Sequence, residues 1–150
     1  MVAVQNLVVL ALSSMALAFP THVTEISDLA KRTINGVAAA NCEEIQFTPS
    51  EVQTAASVAA SRVARERVCP YLLNIPRLPS ITFEPGFEFL TGCEAPFFEF
   101  PIFNSKVYTG GKPGPNRVVI GSVKGTDAAF CGVITHTGAR ENGFLQCDVA

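Results

Sequence analysis

Three polar side chains stand inside otherwise apolar, β-prone runs: Glu99 in FFEFP, Arg117 at the head of RVVIG, and His136 at the end of VITHT. Each has an ordinary structural use on its own. A strand glutamate can face solvent, an arginine at a strand start can snorkel, and a lone histidine can simply pack. Taken together they are a carboxylate, a guanidinium and an imidazole on three strands of one small sheet. That set supplies a base, a fixed cation and an acid, which is what phosphodiester cleavage needs when no metal takes part.

Elements able to hold such a set are legible on either side of it. Thr48-Pro49-Ser50-Glu51 has a capping threonine, a proline at the first helical position and a glutamate three residues after the cap, which together open a helix. The helix is expected from about Pro49 to Arg67, closed by Pro70. Val52, Ala55, Ala56, Ala59, Val63 and Arg67 recur at helical spacing, and the small residues in that stripe permit close approach to a sheet. After it come short β-prone runs between turn formers: GFEFL (86–90), FFEFPIF (97–103), RVVIG (117–121), AAFCGVITH (128–136) and GFLQC (143–147). The order is therefore helix first, then an antiparallel sheet. Tyr71 to Pro85 carries several prolines and no clear period, so it reads as a long irregular loop. GGKPGPN (110–116) reads as a turn-rich connection. It lacks the lysine-serine/threonine ending of a phosphate loop and no helix follows it.

The amino-terminal part has another character. Leu7 to Ala18 is a short apolar run ending in Ala16, Leu17 and Ala18, the pattern of a secretory signal peptide over 1–18 and too short for a membrane span. A polar stretch over 19–32 closes on Lys31-Arg32, in the manner of a propeptide, which leaves 33–150 as one domain with no membrane anchor. The net charge is −2, and removing Glu25, Asp28, Lys31 and Arg32 leaves it unchanged. No global basic field exists, so a nucleic acid would have to be held by a local site. All five cysteines (Cys42, Cys69, Cys93, Cys131, Cys147) fall after Arg32. Four of them could make two bridges in several pairings, as suits an exported chain, with one thiol over. A metal site is not expected, since there is no C-x-x-C and His136 is the one histidine after Arg32. No cofactor is expected either.

FEFPIF, KPGPNRVVI, FCGVITHTGA and NGFLQC resemble blocks of the fungal guanyl-specific ribonucleases, a superfamily that also contains the sarcin-type ribotoxins. The resemblance runs from about Cys42 to Cys147, weakly through the helix and the 71–85 segment and closely from Phe97 onward. It implies an α+β fold, the microbial ribonuclease fold, with one helix packed across a twisted antiparallel sheet of about four to five strands and Glu99, Arg117 and His136 on its concave face. It implies Glu99 as general base, Arg117 on the scissile phosphate, His136 as general acid, and Asn142 and Phe144 as substrate-binding residues, with Phe144 beside the phosphate. It also implies disulfides Cys42–Cys147 and Cys93–Cys131, with Cys69 left over. The activity so implied is that of a secreted, extracellular and monomeric endoribonuclease. It cleaves single-stranded RNA, after guanosine, through a 2′,3′-cyclic phosphate. The chain lacks the lysine-rich insertions and basic balance of the ribotoxins.

The match has gaps. Family enzymes carry Tyr-Pro-His in the strand after the helix, and this chain has no histidine there. Asn74-Ile75-Pro76-Arg77 is the nearer counterpart, putting Ile75 for the tyrosine and Arg77 for the histidine; Leu78-Pro79-Ser80 is a poorer one. Arginine keeps the charge and can bind phosphate but exchanges no proton near neutral pH. For the base, SITFEPGF offers Phe83 to stack and Glu84 to accept hydrogen bonds from guanine, with an extra proline and none of the family's asparagines. The competing reading is a catalytically impaired secreted effector that binds RNA or a host protein.

Overall fold

The computed structural model describes residues 33–68, 80–81 and 87–150. The expected signal peptide and propeptide, Cys69, Ile75, Arg77, Phe83 and Glu84 lie outside them.

The helix, α1 (Pro49–Val68), begins as its sequence requires. Glu51 N–H donates to Thr48 Oγ1 at 3.3 Å, while Thr48 N–H donates back to Glu51 Oε2 at 2.8 Å. This reciprocal box satisfies donors that a helix start leaves without partners. The other carboxylate oxygen of Glu51 accepts from Ser105 N at 2.6 Å, so the cap also anchors a loop distant in sequence. These backbone bonds hold the Glu51 carboxyl below its ordinary pKa, chiefly through Thr48 and then Ser105. Val52, Ala55, Ala56, Ala59, Ala60 and Val63 form the buried stripe.

Three short strands not expected from the sequence precede α1: β1 (Ile34–Asn35), β2 (Ala40–Cys42) and β3 (Ile45–Phe47). After the helix come β4 (Ser80–Ile81), β5 (Phe97–Pro101), β6 (Asn116–Lys124), β7 (Asp127–Thr135), β8 (Leu145–Gln146) and β9 (Asp148–Val149). The main sheet runs β1-β7-β6-β5-β4, with β8 also on β7, and β3-β2-β9 form a second small sheet. Five of the six main-sheet strands pair antiparallel, as expected of the fold class; β1 joins β7 in parallel.

Two local expectations are corrected. Ser80 and Ile81, placed in an irregular loop, instead pair with Phe98 and Phe97 as an edge strand. Phe87–Leu90 alternates like a strand but forms none. Its backbone is satisfied singly: Leu90 N donates to Cys131 O at 3.3 Å, and Glu88 N donates to the Gln146 side-chain oxygen at 3.0 Å. A side-chain amide stands where a neighbouring strand would have been.

The core lies between α1 and one face of the sheet. Phe47, Phe100, Ile102, Val118, Ile120, Phe130 and Val133 pack there against the helix stripe. On the opposite face a smaller cluster forms from Val119, Cys131 and Ile134, with Phe87, Phe89, Cys93, Phe97 and Phe144 against it. Both disulfides implied by the resemblance are formed. Cys42–Cys147 joins β2 to the segment between β8 and β9, and Cys93–Cys131 ties the 87–94 segment to β7.

Candidate active site

The register of β5, β6 and β7 places the three polar residues on the sheet face that turns away from α1. Glu99 pairs with Val119, and Val119 with Gly132; Arg117 pairs with Pro101 on one side and Ile134 on the other. Because paired residues share a face and alternate residues reverse it, Glu99 and Arg117 lie on the same side as Ile134, diagonal to one another. His136 follows two residues after Ile134, its backbone N donating to Pro115 O at 3.0 Å. Their sequence neighbours Phe100 and Val118 point the other way, into the core.

A bulge adjusts this face. Val119 and Ile120 are consecutive on β6, yet they pair with Gly132 and Phe130, so Cys131 is the extra residue on β7. It turns to the site face, where its disulfide partner Cys93 waits. Gly132 has φ 151°, a conformation that L side chains rarely adopt, and a Cβ built there would meet nothing within 4 Å. Glycine here satisfies the bulged backbone and leaves room beside Val119, next in register to Glu99. Gly121 is the opposite case: a Cβ would stand 2.6 Å from Glu94 O and 3.0 Å from each sulfur of the Cys93–Cys131 pair.

Each side chain is held by different means. Arg117, 7 % exposed, donates through Nη1 to the carbonyls of Gly114 (2.7 Å), Asn116 (2.9 Å) and Pro113 (3.2 Å). Burial pushes its pKa down, against the pull of Glu99 and Tyr108; the guanidinium stays charged. His136 donates from Nδ1 to Gly143 O at 2.7 Å, a carbonyl acceptor that fixes a proton on Nδ1. Its ring stacks on Phe144 at 3.9 Å between centroids and 29° between planes. Glu99 is half-buried, and its Oε2 is enclosed with no hydrogen-bond partner among the described residues. Desolvation raises the Glu99 pKa, opposed by the charges of Arg117 and then His136. That mutual influence places the three groups within electrostatic reach of each other.

Of the other residues singled out in the sequence, Phe144 joins the site through its stack on His136. Asn142 is exposed in the turn closed by Gly143 N donating to Arg140 O at 2.9 Å. Ser80, part of the poorer counterpart of Tyr-Pro-His, pairs with Phe98, one register step from Glu99. The carbonyls that seat Arg117 and the Gly143 carbonyl on His136 were not foreseen. The signal for the former was available: KPGPN contains two prolines, which accept hydrogen bonds but cannot donate from the backbone, and such a turn suits a donor-rich guanidinium.

A carboxylate, a guanidinium and an imidazole thus lie on one sheet face, within electrostatic reach of one another, and comparison with known proteins gives the family of the chain that carries them. A family model described as ribonuclease matches residues 35–148. The guanyl-specific ribonuclease U1 of Ustilago sphaerogena is 38% identical over 113 residues, covering 75% of this chain and 97% of that protein. Ribonuclease Th1 of Trichoderma harzianum is 38% identical over 114 residues, 72% and 95% of the two chains. The extracellular guanyl-specific ribonuclease Fl1 of Gibberella baccata is 34% identical over 115 residues, 73% and 95%. The chain belongs to the ribonuclease family.

Proposed function

We propose that this chain is a secreted endoribonuclease that cleaves single-stranded RNA after guanosine by transphosphorylation. The observation that carries the reading is the state of Glu99. It is a desolvated carboxylate with one oxygen lacking a hydrogen-bond partner among the described residues, flanked by Arg117 and by His136, whose Nδ1 is held on Gly143 O. A raised pKa brings a carboxylate nearer the operating range of a general base. Glu99 takes the proton of the ribose 2′-hydroxyl; O2′ attacks phosphorus; the bond to O5′ breaks as His136, entering the step as the imidazolium with protons on both ring nitrogens, delivers the Nε2 proton to that oxygen and keeps the Nδ1 proton on Gly143 O. Arg117, immobilised by three carbonyls, neutralises charge on the phosphoryl oxygens without having to reorganise. The product is a 2′,3′-cyclic phosphate, hydrolysed later with the two roles reversed. DNA lacks the attacking hydroxyl and is no substrate.

Support for guanosine comes from the named specificity of the relatives and from Glu84, which offers an acceptor for guanine. Support for secretion comes from the apolar run Leu7–Ala18, the two disulfides and the extracellular relative. Incubating the processed protein with guanosine-, adenosine- and uridine-containing dinucleotides tests the reading: the guanosine substrate is cleaved fastest and the cyclic phosphate is detected first. The histidine missing from the Tyr-Pro-His position lowers the rate relative to the relatives, by about 10²- to 10⁴-fold if it acts as one acid–base participant. Arg77→His then raises turnover. A folded preparation that binds guanosine monophosphate yet turns over nothing would instead establish the competing reading, an RNA- or host-protein-binding effector.

A further inference from the structure

Thr33, the first residue after Lys31-Arg32, has its backbone nitrogen on a carboxylate. Its N–H donates to Asp127 Oδ1 at 2.9 Å, and its carbonyl accepts from Ala128 N at 3.1 Å. Ile34 and Asn35 then pair in parallel with Ala128 and Ala129, and Ile34 is buried in the core. β1 is two residues long, so these few bonds are much of what fixes the start of the domain. A neutral amide needs only an acceptor at that point; the group provided carries a full negative charge.

We propose that the Arg32–Thr33 peptide bond is a proteolytic processing site and that Asp127 is the receiver of the ammonium group its hydrolysis creates. A protease of dibasic specificity adds water across the bond. The C–N bond breaks, Arg32 leaves with a carboxylate, and the Thr33 nitrogen, now an amine, takes up a proton. The hydrogen bond to Asp127 thereby becomes charge-assisted on both sides without moving either partner, and such bonds are shorter and stronger than neutral ones. Lys124 is the cross-strand partner of Asp127 in the backbone register of β6 and β7, and its charge does not depend on processing. The consequence is a domain whose amino-terminal strand is held more firmly once the segment before it has been removed.

The proposal rests on reading Lys31-Arg32 as a processing signal, and the first arm of the test examines that alone. Sequencing the secreted protein from its amino terminus gives Thr33 as the first residue, and a Lys31→Gln, Arg32→Gln variant stays uncleaved. Asp127→Asn keeps an acceptor oxygen and removes the charge, and urea unfolding is measured with and without it in both forms. The expected result is that Asp127→Asn lowers the folding equilibrium constant about two- to five-fold more in the processed protein than in the uncleaved one, the excess shrinking in high salt. Should the uncleaved variant not accumulate, the Thr33 amino group titrates at higher pH in the processed parent than in its Asp127→Asn variant. A different amino terminus overturns the processing site. An equal effect of Asp127→Asn in both forms, or an unchanged amino titration, overturns the receiver. RNA cleavage is not a readout, so neither result bears on the catalytic reading.

Discussion

The two faces of the main sheet are built from alternate residues of the same strands and serve opposite ends. Towards α1, Phe100, Val118, Ile120, Phe130 and Val133 are at most 1% exposed and purely apolar. Away from it, Glu99 and Arg117 alternate with them, and each has a pKa displaced by burial in the direction that disfavours its charge. One face stores stability and the other spends some of it on keeping charged groups partly out of water. Strand alternation makes the separation clean, because a step of one residue exchanges faces.

The comparison is broken most sharply by removing the imidazole proposed as the acid. His136→Ala lowers kcat by about 10²- to 10⁴-fold on a substrate with a poor leaving group, with nucleotide binding affected far less and the urea midpoint near that of the parent. A variant cleaving as fast as the parent would show that the imidazole only packs. On the other face, Phe100→Ala costs about 3–5 kcal/mol of stability, because the ring is fully buried and lies under the Arg62 guanidinium at 4.9 Å. The remaining folded fraction keeps its base preference. If the two substitutions affected rate and stability alike, the division between faces would be wrong.

Gly121→Ala sits between the two faces in effect. Its Cβ would overlap Glu94 O, a backbone atom that cannot swing aside, and press on both sulfurs of Cys93–Cys131. A loss of about 1–3 kcal/mol follows in thermal or urea unfolding. A neutral result would mean that the 87–94 segment shifts freely and that the disulfide does not constrain it.

The smallest effect sharpens the comparison through pH. Glu99 has a folded-state pKa raised by desolvation. The stability linked to its protonated form is therefore fully present below the unfolded pKa and is lost as pH rises through the folded one. Glu99→Gln should consequently be more stable than the parent near neutral pH and lose that advantage in acid, while losing its activity throughout. The acidic limb of the parent's rate profile falls at a pH above the ordinary glutamate value of about 4.3. Urea midpoints across pH, set beside kcat/KM over the same range, check both signs. A Glu99→Gln variant less stable at neutral pH would mean that attraction to Arg117 outweighs desolvation.

Several parts of this architecture are written in local sequence. The capping box at Thr48 and Glu51 works through residues three apart, so it could be read directly, and the start of α1 follows it. The long strands β5, β6 and β7 have enough β-prone residues to announce themselves, and with them the three polar interruptions at Glu99, Arg117 and His136. The short strands did not show, since β1 to β4 span two or three residues each and exist only because a partner is present. Phe87–Leu90 failed in the other direction: it has the strand pattern, but Gln146 and Cys131 meet its backbone instead of a ladder.

The sequence by itself determined which chemical groups this protein brings to its site, because residue type and alternation along three strands are local properties. Tertiary structure decided how those groups behave. The enclosure of Glu99 Oε2, the seating of Arg117 on the 113–116 turn, and the choice of Nδ1 as the bonded nitrogen of His136 by Gly143 all depend on segments far apart in the fold or folded back on themselves. Desolvation and hydrogen-bond direction are properties of a surrounding, and a surrounding exists only once the chain has closed around it.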